Sequence, residues 1–542
     1  MEFNFSKRNL IGKEAKLERF FEILPGFASW TILAGMVGIS FWNPLLAAIL
    51  IIAFDFYWLL RMFYMTFFLV LAYLRLSTER KVDWMGRIQE LEYSKDPLVS
   101  SLPFRQRISQ WIHRRNLNVL SRSGSPPPPL REIYHLIIFP VVREAGEVIE
   151  PGIKSLIHQE FPPKQMVVVI ALEARAEENI KKQMRLIQER YKNFFFDFLI
   201  TTHPDNLPGE ARVKGANVTY AAKEAARFFD SKQIPFDHVI VSCFDADTVV
   251  SERYFSCLAY HFMVCPKRNR AGFQPIPVYH NNIWEASAFA RVLDIGSSFF
   301  QLIESTNPEK LVTFSSHSMS FKALVEVGYW PVDMVSDDSA IFWKALIHFD
   351  GDYHVIPMYV TLSMDVVSGP TWWQTITNVY HQKRRWAWGV ENFPIVMRAF
   401  LKADKISLYD KVTHGFKLFE DHVAWATWPF LLTFISWLPA LFAGREFSDS
   451  VLYYSAPRIT ATIFNLAFLA LFVTIIVSLY LLPKQKVKNP FWKRVALVLE
   501  WLLIPIVIVF LSALPALDAQ TRLMFGRYME FWVTEKKREP KA

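Results

Sequence analysis

"FDHVIVSCFDAD", Phe236 to Asp247, decides how the centre of this chain is read. Val239 to Cys243 is an apolar run with polar residues before it and two acids after it. That pattern predicts a buried strand ending in an acidic turn. In an extended backbone Asp245 and Asp247 share one face, and a turn can equally direct both into one crevice. Taken alone, the pair is better explained as a solvated strand end.

The same pattern recurs on either side. "YHLIIFPVV" (134–142) and "QMVVVIAL" (165–172) read as buried strands, each followed by a charged helical stretch, 143–159 and 176–196. "FFFDFLITTHP" (194–204) predicts a further strand and "NVTYAAKEAARFFD" (217–230) a helix. Strands alternating with helices of this length predict an α/β domain with a mostly parallel sheet. Ligands of such sheets lie at the carboxyl ends of the strands, where the acidic turn falls.

Of the 542 residues 52% are apolar, and these concentrate towards both ends of the chain. The 47 phenylalanines and 18 tryptophans suit membrane segments with aromatic girdles. The first apolar region, Phe27 to Leu76, is divided by Asn43-Pro44 into spans at about 26–42 and 45–74. A helix of the second length is about 45 Å long and exceeds the ~30 Å hydrocarbon layer, so it tilts or projects. Asp55 and Arg61 lie within it and are expected to face protein, a watery path or the headgroups. Lys7, Arg8, Lys13, Lys16 and Arg19 precede the first span; Arg75, Arg80, Lys81 and Arg87 follow the second. By the positive-inside rule both flanks, and with them the polar middle of about 85–415, belong in the cytoplasm of an inner or plasma membrane.

Three apolar runs follow, 425–443, 459–482 and 496–516, the last two separated by the basic "KQKVKNPFWKR" (484–494). Three crossings would leave the C-terminus outside, yet the tail "TEKKREPKA" favours the cytoplasm. Pro505 and Pro515 allow the last run to be re-entrant or interfacial instead. The expected organisation is a cytosolic segment (1–25), two membrane helices (26–76) and an extension with a proline-rich linker (77–130). The α/β domain (131–390) follows, with interfacial helices over 371–420, C-terminal membrane helices (421–517), and an interfacial helix with tail (518–542). The first 22 residues are mixed and charged, so no cleavable leader is expected. The net charge of +9 sits beside the apolar runs and points to lipid headgroups; no basic stripe for nucleic acid is found. Cys243, Cys257 and Cys265 provide no disulfide framework, and Cys257, His261 and Cys265 read as one face of a buried helix.

Hard oxygen ligands such as Asp245 and Asp247 suit Mg²⁺ or Mn²⁺, ions that take phosphate oxygens and neutralise a departing diphosphate. A second acidic pair stands in "DMVSDDSAIFWKAL" (333–346), where Asp337 and Asp338 open a helix. Helix capping needs only one of them; the other is available as a general base. In "VYHQKRRWAWG" (379–389), Gln382, Arg385 and Trp386 fall on one helical face, beside Lys383, Arg384 and Trp388. A surface helix of this kind can offer a guanidinium to a diphosphate and an indole to a sugar ring.

The ordered set DxD, a second acid before a helix, then QxxRW resembles the inverting family 2 glycosyltransferases. Within them it resembles the membrane-embedded branch of cellulose, chitin and hyaluronan synthases. The resemblance covers roughly residues 131 to 390 and implies a GT-A domain flanked by transmembrane helices. It places Glu173 at the nucleotide, and Lys214, Gly215 and Asn217 of "VKGANVTYA" beside the donor. It gives Asp245 to nucleotide or diphosphate and metal, and Asp247 to the metal. "SHSMSFKALVEVGYWP" (316–331) resembles the acceptor-side segment, with the role of His317 open. Asp338 stands where the family has its base, in Ser336-Asp337-Asp338 instead of the usual TED, with Asp337 at the acceptor. Gln382 and Arg385 are assigned to the diphosphate and Trp386 to the acceptor. "FWVTEKK" (531–537) resembles a gating loop through Phe531, Val533, Thr534 and Lys536.

The activity implied is metal-dependent inverting transfer from a nucleotide diphosphate sugar, with a UDP-linked donor expected, to a growing polysaccharide. One-step transfer to a polyprenyl phosphate or glycolipid is the nearer alternative, and an inactive scaffold or glycan-binding protein the remoter one.

Overall fold

The computed structural model describes residues 3–6, 10–93, 104–442, 451–483 and 491–530. Its centre is an eight-stranded sheet: β1 Tyr134–Val141, β2 Met166–Glu173, β3 Asp197–His203, β4 Val239–Cys243, β5 Val249–Val250, β6 Ala271–Val278, β7 Ser318–Ser320 and β8 His354–Ser363. The strand order is β3-β2-β1-β4-β7-β6-β8-β5.

Successive residues of the inner strands enter two different cores. Ile137, Phe139, Val168 and Ile170 pack with the helices Gly146–Ile157, Glu178–Tyr191 and Tyr254–Val264. Leu136, Ile138, Val167 and Val169 pack with Lys214–Ser231 and Asp337–His348. Burial on both faces is why β1 and β2 read as unbroken apolar runs.

The expectation of a mostly parallel sheet is corrected. β1, β2, β3 and β4 pair in parallel, but β7 runs antiparallel to both β4 and β6, and β5 antiparallel to β8. The sheet is mixed. The strands that break the rule are the three-residue "SMS" and the two-residue "VV", too short and, in β7, too polar to give a periodic signal. β7 leads directly into the helix Phe321–Glu326, so no crossover helix announces it.

Among the described residues four helices are long and apolar enough to cross a membrane: Gly12–Trp42, Pro44–Glu79, Ala461–Leu481 and Val495–Met524. A fifth candidate is the pair Leu408–Thr433 and Ile435–Leu441, bent by 43°. The chain is a multi-pass membrane protein with a large domain outside the apolar helices. The first helix runs without interruption through Pro25, so the expected span at 26–42 is the outer part of a longer rod.

The last of these helices lies along the domain. Glu500 near its start holds Arg291 of the domain helix Ala288–Glu304 at 2.8 Å, and Asp518 near its end holds Arg384 at 2.9 Å. Its path includes a 3₁₀ turn at Glu500–Leu503, a π turn at Val509–Ala513, and Pro505 and Pro515. Arg19 of the first helix bonds the carbonyls of Leu523 and Met524, and the Tyr528 hydroxyl donates to Glu22. The same stretch of the first helix reaches the domain through Glu18, which accepts from Arg398 at 2.9 Å. The end of the last helix therefore packs beside the N-terminal part of the first helix, which itself contacts the domain.

Candidate active site

Three segments distant in sequence meet at the carboxyl end of β4. The first is the acidic turn. Asp245 keeps a side chain 28% exposed, whereas Asp247 is buried. The Asp365 backbone N–H donates to Asp247 Oδ2 at 2.8 Å, and Asn281 Nδ2 donates to the Asp247 carbonyl at 2.9 Å and to Asp365 Oδ1 at 2.9 Å. The turn is thus held from the ends of β6 and β8.

The second segment is the start of the helix Asp337–His348. Ser336 occupies the cap position and makes no side-chain cap bond to the helix. The Ser336 hydroxyl and the N–H groups of Val335 and Ser336 all donate to Glu391 Oε1 at 2.9–3.0 Å, while Trp388 Nε1 donates to Glu391 Oε2. Both aspartates stand in the first turn, where a negative charge meets the positive end of the helix. Asp338 is 23% exposed. Asp337 is buried, and its Oδ2 finds no hydrogen-bond partner among the described residues. Burial, followed by the adjacent Asp338 carboxylate, pushes Asp337 well above the usual carboxylate range, with Lys214 and Arg385 acting the other way.

Lys214 joins the two acidic segments. Its Nζ donates to Asp245 Oδ1 at 2.9 Å and to Asp338 Oδ1 and Oδ2 at 2.9 and 3.1 Å. Burial opposes the ammonium charge, but the Asp245 and Asp338 carboxylates outweigh it and hold Lys214 well above an ordinary lysine. Gly215 explains how the helix start comes so close: a Cβ there would overlap the Pro331 carbonyl oxygen and meet Asp337 Cβ at 3.2 Å. Asn217 is buried and donates to the Ala171 carbonyl at 2.7 Å, seating the helix against β2.

The third segment is the helix Trp372–Ala387. The Trp386 ring lies 5.7 Å from Phe314 and 6.1 Å from Tyr279. Next to Phe314, the Ser315 hydroxyl donates to Asp245 Oδ2 at 2.5 Å. Ser316 adopts φ +61°, a left-handed conformation uncommon outside glycine, and its hydroxyl accepts from the Asp245 N–H at 3.1 Å. Arg385 lies within electrostatic reach of Asp337 and Tyr279. Gln382 is buried, and its Oε1 has no hydrogen-bond partner among the described residues.

Of the residues singled out from sequence, Lys214, Asp245 and Asp338 are directly bonded. Asp337, Arg385 and Trp386 surround them. Asp247, Gly215 and Asn217 belong to the turn and helix start that carry them, and Gln382 is buried on the helix that bears Arg385 and Trp386. Glu173 ends β2 on the same sheet edge and is ion-paired with Arg175. Phe531, Val533, Thr534 and Lys536 lie outside the described residues.

His317, whose role the sequence left open, is buried, with Nδ1 3.6 Å from Asp338 Oδ1. Burial lowers its pKa; the Phe314 carbonyl lies 3.2 Å from Nδ1 and Trp330 Nε1 3.5 Å from Nε2. Sequence reasoning missed Ser315, Asn281, Asp365 and Glu391, which no motif marks, and gave Ser316 no role of its own within the segment 316–331.

Among the described residues no group of three or more His, Cys, Asp or Glu side chains is arranged to hold a metal. Mg²⁺ needs fewer protein ligands: it is bound by one or two carboxylates, with waters and phosphate oxygens supplying the rest. Asp245 and Asp247 provide that number, so the donor set fits. The cysteines are free and buried, and the helix Tyr254–Val264 is buried throughout.

A family model described as Glycosyl transferase family group 2 matches residues 240–482. The poly-beta-1,6-N-acetyl-D-glucosamine synthase of Staphylococcus epidermidis is 23% identical over 358 residues, 64% of this chain and 74% of the relative. That of Staphylococcus aureus (strain COL) is 28% identical over 186 residues, 33% of this chain and 41% of the relative. Among solved structures, a mannosyltransferase from Pyrobaculum calidifontis in complex with GDP-Man and Mn²⁺ is 15% identical, covering 76% of this chain and 99% of the other, with TM-score 0.39. S. aureus TarS 1-349 in complex with UDP-GlcNAc is 14% identical, covering 73% and 93%, with TM-score 0.31. This multi-pass membrane protein is thus similar over residues 240–482 to glycosyl transferase family group 2 and, distantly, to the poly-β-1,6-N-acetylglucosamine synthases.

Proposed function

We propose that this protein transfers a sugar from a nucleotide diphosphate donor, UDP-linked, to a growing polysaccharide in a single displacement with inversion. The observation that carries this reading is the Lys214 bridge, which brings Asp245 and Asp338 to one ammonium at 2.9 Å each. Leaving-group and proton-accepting functions are then separate but adjacent, as inversion in one step requires.

Asp338 takes the proton from the acceptor hydroxyl, which attacks the anomeric carbon opposite the diphosphate. Lys214 and Arg385 face the charge that develops on the leaving group. Trp386 offers its half-buried ring to the acceptor sugar. Asp245 and Asp247 would hold Mg²⁺ or Mn²⁺, which when bound supplies charge neutralisation at the diphosphate. Glu173, on the same sheet edge, is assigned to the nucleotide. The large domain is placed in the cytoplasm, where nucleotide sugars are supplied.

The names of the relatives make UDP-N-acetylglucosamine the first donor to test. Detergent-solubilised protein is incubated with a panel of nucleotide sugars and Mg²⁺ or Mn²⁺, and released nucleotide and product mass are measured. A ladder or high polymer is expected. A single adduct on a polyprenyl phosphate replaces the polymerase reading with one-step transfer, and no release from any donor overturns both.

A further inference from the structure

One buried charged pair beside the site has no part in the chemistry above. Lys383 Nζ donates to Asp294 Oδ1 at 2.9 Å and to Ser297 Oγ at 3.0 Å, with the two charged side chains only 2% and 4% exposed. The same Nζ stands 3.7 Å from the centroid of the Trp386 ring. A buried ion pair is a poor source of net stability, because desolvating two charges offsets their attraction; its best-attested use is to fix one arrangement. Here the element held is the indole. Lys383 covers the ring, Phe314 meets it edge-on at 82° and Tyr279 lies tilted at 36°. Asp294 and Ser297 belong to the helix Ala288–Glu304, which Arg291 fastens to Glu500 of the last apolar helix.

We propose that Lys383 and Asp294 are a positioning pair that sets the plane of Trp386 and so tunes binding of the acceptor saccharide, referenced through the Ala288–Glu304 helix to the apolar helix that carries Glu500. This rests on the assignment of Trp386 to the acceptor in the proposed transferase.

The test uses the full-length chain in detergent, with UDP-N-acetylglucosamine as donor and soluble β-linked N-acetylglucosamine oligomers as acceptor. Replacing Lys383→Met and Asp294→Asn together removes both charges and leaves neither unpaired. The acceptor KM is expected to rise about tenfold, the scale of a desolvated cation–π contact. Donor KM should stay within about twofold, with the thermal midpoint little changed. Lys383→Arg, which keeps a cation over the ring, is expected to restore most of the acceptor affinity. The proposal is overturned if acceptor KM is unchanged, or if both KM values and the thermal midpoint deteriorate together as a merely structural pair would make them. A wild-type protein that turns over no donor removes the transferase reading and this inference with it, whereas an active wild type with an unaffected double variant removes only the inference.

Discussion

At the scale of single residues, Lys214 is the hinge of the site, because its ammonium faces two carboxylates that would otherwise repel across a crevice. Lys214→Met leaves Asp245 and Asp338 uncompensated and is expected to lower transfer about 10²-fold, the usual consequence of losing one pre-organised electrostatic group. Initial rates of nucleotide release at saturating acceptor check this, and a loss of less than threefold would contradict it. The acids were legible in the sequence because each follows an apolar run or opens a periodic helix. Ser315 and Asn281 were not legible: their bonds to Asp245 and Asp247 span 70 and 34 residues, and neither side chain is unusual in a loop. Ser316 opens a segment the sequence did mark, but its backbone role was not legible, since a positive φ in a serine has no compositional trace.

Among the elements, β1 carries a histidine in an otherwise apolar and aromatic run. His135 is fully buried between Phe161 and Phe255, with both ring nitrogens unpartnered among the described residues, and burial lowers its pKa to about 3. The unfolded chain, near 6.5, takes up a proton that the folded strand refuses. Its contribution is therefore present above about pH 6.5 and is lost as pH falls towards 3, by at most about 1.4 kcal/mol per pH unit. His135→Leu is expected to flatten the fall of the thermal midpoint between pH 7 and pH 4.5; an identical fall in both proteins would contradict it. The strands β1, β2 and β4 were legible because burial on both faces produces unbroken apolar runs. The antiparallel β5 and β7 were not, because strands of two and three residues lie below the length at which alternation can be recognised. That loss turned a mixed sheet into a parallel one on paper.

Across the whole molecule, the apolar helices and the domain share one set of anchors: Arg398 to Glu18, Arg291 to Glu500 and Arg384 to Asp518. A cysteine at Glu530, near the end of the described chain, is expected to react with an impermeant maleimide from the same side as one at Lys182 on the domain. One at Trp42, at the far end of the first helix, should react from the opposite side. Labelling of the Glu530 position together with Trp42 would contradict the path of the last helix. Length and hydropathy made the helices legible, but not this path, which depends on ion pairs formed across 134 to 380 residues of chain. The central claim is that the leaving group at Asp245 and Asp247 and the proton acceptor at Asp338 work in one crevice. It is tested most directly by Asp338→Asn in the full-length protein, measuring donor binding and transfer side by side. Donor affinity within about threefold of wild type with transfer reduced 10²-fold or more is predicted; undiminished transfer would contradict it.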